Sequence, residues 1–495
     1  MHDGDARAVE QSEFRALLNE IESLRDDVAN AGAALLGEWG VSQDHPRFGA
    51  AALNLAHYLA LRRHDLNALQ LRLSALGLSS LGRSEAKVMA ALDALIATLR
   101  RLCGEEIALY PTLRAMGAGV EALSAACDAI FGAAQWSSHT RIMATLPSDA
   151  AANPALVRRL MEAGMDCARI NCAHDDAGAW ARMIENIRAA ESELRRSCRV
   201  LIDLAGPKCR IGAVQAPEKY RVHRGDRLAL VARVNAQDKA SVAFDVEPRC
   251  VLRQLKIGDD VHIDDGKASG RVVEVSPRRA VIEIFCARAK GVRLKPGKGL
   301  NFPSTELDLS PLTPKDFNDL DFVARNADLV GFSFVQRPAD VELLQDHLVA
   351  RRGGAPPQPL VLKIETPLAV RNLPRLIAQA AAHHPTAVMI ARGDLAVELG
   401  FARLSEIQEE ILWLCEAAQT PVIWATQVLD QFVKEGVASR SETTDAAMAQ
   451  RADCVMLNKG PFVAEGVLFL RDVLLRMDRH HAKKFSRFTT LRAWD

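Results

Sequence analysis

The chain has 495 residues, enough for two or more domains, and its 62 basic and 62 acidic side chains cancel, which argues against nucleic acid or an anionic membrane as a partner. No apolar run reaches the ~20 residues of a membrane span, and the N-terminus lacks the plan of a signal peptide. The ten cysteines include no Cys-x-x-Cys pair, so we expect a soluble, reduced protein of the cytoplasm.

The N-terminal part of the chain carries apolar side chains at helical spacing and shows no strand-like alternation. One such run is Val88, Leu92, Leu95, Ile96 and Leu99. The pattern predicts an all-helical domain over residues 1–135. Within it, residues 76–85 suit either an anion-binding cradle or, as the simpler interpretation, a turn with Ser84 as a helix N-cap.

From Thr140 onward, short apolar segments alternate with helix-like segments. The predicted strands are 140–146, 167–172, 199–204, 328–335, 359–364, 386–391, 421–425 and 453–457. The helical patterns include 154–164, 177–195, 338–349, 367–380, 404–418 and 463–477. Near-continuous Val, Ile and Leu strands indicate a parallel sheet buried on both faces. Eight β/α units of this kind predict a TIM (β/α)8 barrel over residues 136–212 and 299–485.

The β/α rhythm breaks between residues 213 and 298, where several short strands and turns follow one another. We interpret this segment as a small β-barrel domain inserted after the third barrel strand. Because loops that follow barrel strands emerge at the catalytic end, the insertion would form a lid over the active site.

Polar residues follow most of the predicted barrel strands, at the ends that should meet at one rim. Lys363 and Glu365 point the same way on one strand, and Asp394 follows Gly393 at the next strand-to-helix turn. A Lys-x-Glu pattern alone is more often a solvated ion pair. Together, a lysine, two carboxylates and free helix-start amides suit the handling of phosphate with a divalent metal.

These residues resemble the pyruvate kinase family over residues 138–475. The resemblance rests on 162–171, 263–266, 363–365, 391–395, 425–429, 440–442 and 452–457. It implies transfer of a phosphoryl group from phosphoenolpyruvate to ADP, giving pyruvate and ATP, with Mg²⁺ or Mn²⁺ as cofactor. We also expect a homo-oligomer and, from the charge balance and hydropathy, neither nucleic acid nor a membrane as a partner.

The resemblance also implies roles for individual residues. The implied catalytic residues are Lys363, Thr426, Arg169 and Arg210. The implied substrate contacts are Gly393, Asp394, Thr426, Arg169, Lys363 and Ser333. The implied nucleotide contacts are Asn171, His174 and Lys298, and the implied metal ligands are Glu365 and Asp394. The implied monovalent-cation region comprises Asn171, Asp203 and Lys208.

Several positions depart from the family pattern. Ala173 stands where a serine is usual, and Lys208 replaces a glutamate. Family members with that lysine tend to work without K⁺, so we expect K⁺ not to be required. After the eighth strand, 458–461 replace the usual Ser-Gly-Glu-Thr, which leaves a different acceptor or reaction open. We expect no counterpart of the family's C-terminal domain. A third interpretation is a non-catalytic scaffold that senses ligand.

Overall fold

The computed structural model describes residues 2–105, 109–136, 138–234 and 242–487, with side chains described from residue 11 onward. The strands are β1 (Arg141–Thr145), β2 (Cys167–Asn171), β3 (Arg199–Asp203), β4 (Arg210–Gln215), β5 (Arg227–Val231), β6 (Ala243–Glu247), β7 (Asp260–Ile263), β8 (Ala268–Ser276), β9 (Arg279–Ala287), β10 (Leu300–Asn301), β11 (Leu329–Phe332), β12 (Leu360–Ile364), β13 (Thr386–Ala391), β14 (Val422–Ala425), β15 (Cys454–Leu457), β16 (His481–Ala482) and β17 (Phe485–Ser486).

The helices are α1 (His2–Trp39), α2 (Gly49–Leu61), α3 (Asn67–Ala75), α4 (Val88–Leu102), α5 (Leu113–Phe131), α6 (Pro154–Ala163), α7 (Ala177–Leu194), α8 (Pro314–Asn326), α9 (Pro338–Arg352), α10 (Pro367–His383), α11 (Arg392–Leu399), α12 (Phe401–Ala417), α13 (Asp430–Glu435), α14 (Arg440–Met448) and α15 (Val463–Met477). Among the described residues, no helix combines the length and the apolar character needed to cross a membrane.

Eight parallel strands close into a barrel in the order β1-β15-β14-β13-β12-β11-β3-β2. All eight predicted barrel strands are confirmed; seven agree within one residue at either end, and 328–335 extends three residues beyond the end of β11. Short runs of branched apolar residues form these strands because both faces of a parallel sheet are buried. The TIM barrel prediction is therefore confirmed.

The barrel interior explains where the polar site lies. Met143, Cys167, Leu201 and Val361 are fully buried and belong to one interior cluster. Because strand side chains alternate, the residues two positions later point inward as well, one layer nearer the carboxyl end. Those residues are Thr145, Arg169, Asp203 and Lys363.

The segment between β3 and β11 forms a separate seven-stranded sheet in the order β10-β7-β8-β9-β5-β6-β4. A backbone bridge between Arg210 and Gly299 joins its two end strands, so the sheet closes on itself around its own apolar core. Asn301 in β10 donates to Glu398 in α11 at 2.8 Å. This hydrogen bond ties the inserted sheet to the barrel.

Helices α1 to α5 form the N-terminal helical region, which confirms the helical prediction, and its apolar core is continuous with the outer core of the barrel. Asn54 Nδ2 donates to the carbonyl oxygens of Glu85 (2.7 Å) and Ala417 (2.8 Å). In the turn near residue 84, the Ser84 hydroxyl donates to Leu81 O at 2.7 Å and caps no helix amide. Phe131 at the end of α5 joins the barrel's interior cluster. The helical region thus seals the amino-terminal end of the barrel.

Candidate active site

Asp203, at the end of β3, is the centre of the polar site and is fully buried. Arg169 donates to its Oδ2 from Nε (3.0 Å) and from Nη2, and Lys363 Nζ donates to the same oxygen at 3.1 Å. Burial alone would raise the pKa of Asp203, but Lys363 and Arg169 outweigh it, and the pKa lies below its usual value. Gly331 on β11 makes room, because a Cβ there would lie 2.5 Å from Asp203 Oδ1.

Arg169 is held in a fixed orientation. Its Nη1 donates to Thr145 Oγ1 at 3.1 Å, in addition to the two bonds to Asp203. A guanidinium carries five N–H groups, so two remain for a further partner. This fork geometry suits the oxygens of a phosphate.

Lys363 lies in β12 and is buried, with 7% of its surface exposed. Its Nζ donates to Ser333 Oγ at 2.5 Å and lies 3.5 Å from Glu365 Oε1. Ser333 in turn donates to Leu204 O at 2.6 Å, so it orients Lys363 from the end of β11. Burial would lower the pKa of Lys363, but Asp203 and Glu365 more than offset it and keep the pKa above its usual value. The side chain is therefore an ammonium ion.

Glu365 and Asp394 form a pair of carboxylates beside Lys363. Glu365 Oε2 accepts from Phe334 N at 2.6 Å, and Asp394 Oδ1 accepts from Lys208 Nζ at 2.6 Å. Burial raises the pKa of Glu365; Lys363 opposes this shift, and the nearby charge of Asp394 adds to it. Two close carboxylates whose charges disfavour one another fit a hard divalent cation such as Mg²⁺.

The part of the chain that the structure describes holds no group of three or more His, Cys, Asp or Glu side chains suited to a metal. The two carboxylates of Glu365 and Asp394 would therefore suit Mg²⁺, which commonly binds one or two protein carboxylates and takes its other ligands from water and substrate oxygens.

Thr426 follows β14 in a left-handed conformation, with φ of 65°. Its Oγ1 accepts from Gly393 N at 2.6 Å, near the start of α11. Arg392 fixes this turn by donating to Thr426 O at 2.7 Å and to Ala425 O at 3.2 Å. The same guanidinium donates to both carboxylate oxygens of Asp445 on α14. Because the Thr426 oxygen accepts the amide, its own O–H proton is available for another acceptor.

A second part of the mouth lies beyond the ends of β1, β2 and β15. Asn171 and His174 line a cavity of about 190 Å³ there, together with Lys459. Burial and the charge of Lys459 lower the pKa of His174. Asn171 Oδ1 accepts from Ala173 N at 3.0 Å. This cavity presents positive charge and amide groups next to Arg169.

The inserted sheet carries two of the sequence-predicted residues. Arg210, at the start of β4, donates to Gly297 O at 2.9 Å and is exposed. Lys298 Nζ lies 3.0 Å from Asp264 Oδ1. Arg210 lies close enough to lower the pKa of His174, after burial and Lys459. Arg210 belongs to the inserted sheet and Lys298 to the loop before β10, whereas Lys363 and its neighbours lie in the barrel.

The structure thus brings together Arg169, Asp203, Ser333, Lys363 and Glu365. Asp394 lies close enough to raise the pKa of Glu365, and it is paired with Lys208. The sequence placed Lys208 with Asn171 and Asp203, but among the described contacts its ammonium donates to Asp394. Sequence reasoning missed Asp445 and Thr145. It also missed Asp316, whose Oδ1 accepts from the amides of Ala205 and Gly206 and fixes the loop after β3. Thr313-Pro314 before Asp316 is a readable helix start, but no sequence signal showed the contact with that loop.

Known proteins with similar sequences give an independent comparison. The family model described as the pyruvate kinase barrel domain matches residues 137–467. The chain is 34% identical over 347 residues to a pyruvate kinase of Agrobacterium vitis, covering 69% of each chain. It is 30% identical over 365 residues to a pyruvate kinase of Thermococcus litoralis, covering 72% of this chain and 73% of the relative. It is also 33% identical over 351 residues to a pyruvate kinase of Methylorubrum extorquens.

Proposed function

The chain belongs to the pyruvate kinase family, and on that premise we propose that it transfers the phosphoryl group of phosphoenolpyruvate to ADP. The observation that carries the proposal is the buried ammonium of Lys363 between Asp203 and Glu365 at the barrel mouth. Phosphoryl transfer needs fixed positive charge where negative charge moves, and catalysis then depends mainly on position and electrostatics.

In the proposed reaction, a β-phosphate oxygen of ADP attacks phosphorus while the bond to the enol oxygen breaks. Arg169 and Arg210 bind the phosphate oxygens, and Lys363 neutralises the group in transfer. The amide of Asp394 at the start of α11 binds the substrate carboxylate, and the amide of Gly393 joins it by exchanging its present hydrogen bond to Thr426 Oγ1.

The reaction ends with proton transfer. The electron pair left on the enolate takes a proton at the methylene carbon, which gives pyruvate. Thr426 lies in the proton relay to that carbon, since its hydroxyl hydrogen is not used by Gly393.

Glu365 and Asp394 would hold Mg²⁺ or Mn²⁺ through carboxylate oxygens. A bound divalent ion supplies positive charge that stabilises phosphate oxygens during transfer. The carboxylate of Asp394 must then exchange the Lys208 ammonium for the metal. We expect ADP to contact Asn171 and His174, with Lys298 reaching it from the inserted sheet.

We propose that turnover does not require K⁺. Ala173 offers no hydroxyl ligand, and Asp203 already accepts from Arg169 and Lys363. Lys208, 21% exposed at its side chain, brings a fixed positive charge to Asp394 at the same barrel mouth. A second cation nearby would be repelled at close range and partial burial.

A coupled assay tests the activity directly. Purified protein is supplied with phosphoenolpyruvate, ADP and Mg²⁺, and pyruvate is followed by its reduction with NADH and lactate dehydrogenase. Pyruvate formed only when ADP is present supports the proposal. Turnover with GDP but not with ADP would indicate a different acceptor. Absence of turnover with any acceptor would support the scaffold interpretation.

The K⁺ proposal has its own experiment. Turnover is compared in K⁺ buffer and in tetramethylammonium buffer of equal ionic strength, for the unmodified protein and for Lys208→Glu. We expect K⁺ to matter only for the variant. A strong K⁺ requirement of the unmodified protein would refute the role given to Lys208.

We also propose the division into residues 1–135, 136–212 with 299–485, and 213–298, although the end strands of the inserted sheet, β4 and β10, reach Arg210 and Asn301. A cytoplasmic location and a homo-oligomer complete the proposal. All ten cysteines are free, as expected in a reducing compartment. Leu109 and Leu113, each 89% exposed, offer apolar surface for a second copy. The mass in solution by light scattering, with and without Leu113→Glu, tests the oligomer.

A further inference from the structure

A second cavity, of about 260 Å³, lies at the amino-terminal end of the barrel. Its walls come from α5, from the barrel and from the β16–β17 hairpin. Arg141 begins β1, and Asp453 immediately precedes β15, so both wall residues lie at the barrel end opposite Lys363 and Asp394. None of the residues of the candidate active site lines this cavity.

The apolar part of the wall is formed by Val120, Leu123 and Phe485. The polar part contains a buried carboxylate, Glu416, which is only 9% exposed. Within the described part of the chain, the carboxylate of Glu416 has neither a hydrogen bond nor an ion pair, although its backbone carbonyl accepts from Gln419 N. Buried polar groups are almost always paired, so this carboxylate requires an explanation.

The positively charged groups of the wall, in contrast, already have partners. Lys483 donates to Asp453 at 2.8 Å, Arg487 to Asp478 O at 2.8 Å, and Arg141 to Asp128 and Gly132 O; His139 lies 3.0 Å from Asp478. An anionic ligand would have to compete with these contacts. A cationic ligand would find Glu416 free.

The pairing of the charges around the cavity singles out Glu416. Three carboxylates, those of Glu85, Glu416 and Asp453, are near two ammonium groups, those of Lys483 and Lys484. Lys484 pairs with Glu85, Lys483 with Asp453 and Arg141 with Asp128, so Glu416 is the carboxylate of this group without an ion-pair partner, while Arg487 donates to a backbone carbonyl. Burial, opposed in part by Lys483, raises the pKa of Glu416 to about 7, as expected for a buried carboxylate without a paired cation.

We propose that this cavity binds a small organic ammonium ion, whose nitrogen donates to Glu416 and whose apolar body packs against Val120, Leu123 and Phe485. The volume is near the lower end of small-molecule sites, roughly 300–1,000 Å³, so the ligand has few atoms beyond its ammonium group. The site is independent of the proposed phosphoryl transfer, because the two sites share no residue.

Three probes of equal chain length test the charge preference on the full chain: butylammonium, butanol and butyrate. Binding is measured by titration calorimetry at about pH 8, where Glu416 is ionised. We expect saturable binding of butylammonium and at least about tenfold weaker binding of butanol and butyrate. A preference for butyrate, or no binding of any probe at millimolar concentration, would overturn the proposal.

Two variants locate the bound probe. Glu416→Gln should weaken butylammonium binding at least about tenfold. Glu410→Gln, an exposed glutamate on the same helix α12, should leave it unchanged. Equal binding by the unmodified protein and Glu416→Gln would also overturn the proposal. If Glu416→Gln does not fold, the three-probe comparison on the unmodified protein decides the question by itself.

Discussion

Replacement of Lys363 by methionine removes one ammonium group from the centre of the candidate site and changes its volume little. In the structure this group lies 2.5 Å from Ser333 Oγ, 3.1 Å from Asp203 Oδ2 and 3.5 Å from Glu365 Oε1. The substitution therefore affects both the electrostatics of transfer and the balance of buried charge. The first effect is measured as a change in kcat and the second as a change in the free energy of unfolding.

Removal of a single fixed donor from a transition-state site typically costs a factor of about 10²–10³ in kcat, or about 2.7–4 kcal/mol. Lys363 is charged and buried, so we expect a loss at the upper end of this range or beyond. The KM for phosphoenolpyruvate should change much less, because charge moves onto the transferred oxygens mainly in the transition state.

The same variant leaves Asp203 with Arg169 alone and deprives Glu365 of its nearest cation. Loss of one partner from a buried ion pair costs about 3–5 kcal/mol. Because Arg169 still neutralises Asp203, we expect a value at the lower end. Urea unfolding measures this cost, and Lys256→Met, at an exposed lysine of the inserted segment, is the matched control.

The kinetic measurement is the coupled assay under saturating phosphoenolpyruvate and ADP, with direct titration of phosphoenolpyruvate as a check on binding. A variant that stays folded and loses less than about tenfold in kcat would show that Lys363 is not the neutralising group. A large loss confined to KM would instead assign Lys363 to ground-state binding.

Three further outcomes are expected. Glu365→Gln and Asp394→Asn should each raise the Mg²⁺ concentration needed for half-maximal activity and weaken Mn²⁺ binding observed by electron paramagnetic resonance; unchanged titrations would refute the metal assignment. Asp445→Asn should lower kcat about tenfold with little change in KM, because Arg392 then holds the Thr426 turn less firmly, and a normal kcat would contradict this positioning role. Burial and the charge of Asp394 raise the pKa of Glu398 to about 7, although the hydrogen bond from Asn301 opposes the shift. Between about pH 4.5 and 7, Glu398 is therefore protonated in the folded state and ionised in the unfolded chain. Stability should therefore fall as pH rises from about 4.5 to 7, and Glu398→Gln should flatten that slope in urea unfolding; an identical slope would count against the shift.

The strands of the barrel were predictable because their apolar runs are short, continuous and separated by helical patterns. The same regularity placed Arg169, Asp203 and Lys363 at one rim, since side chains two apart on a strand share a face. The alternation of side chains along each strand is a local property, so the sequence alone places these residues on one face of the strand. The fold class and the cluster at the mouth followed from it.

The partners of those side chains were less predictable, because they depend on contacts between distant segments. Lys208 and Asp394 are 186 positions apart, and Arg392 and Asp445 are 53 apart. Sequence chemistry identified Lys208 as an unusual cation, but only the closed barrel shows which carboxylate it reaches. No sequence pattern predicted the role of Asp445, because an aspartate in a polar helical segment is ordinarily interpreted as a solvent-exposed surface residue.

The site itself is balanced in charge, with Arg169, Lys208 and Lys363 facing Asp203, Glu365 and Asp394. In this arrangement the pair of Lys208 and Asp394 has a consequence for both cations of the reaction. Lys208 Nζ lies 2.6 Å from Asp394 Oδ1, so a divalent ion bound by this carboxylate would displace the ammonium group from it. The released ammonium is then free to approach the substrate phosphate, where K⁺ would otherwise supply the charge. The two proposals, a divalent metal at Asp394 and turnover without K⁺, therefore share one lysine, and we expect a change at Lys208 to alter both the Mg²⁺ titration and the K⁺ dependence.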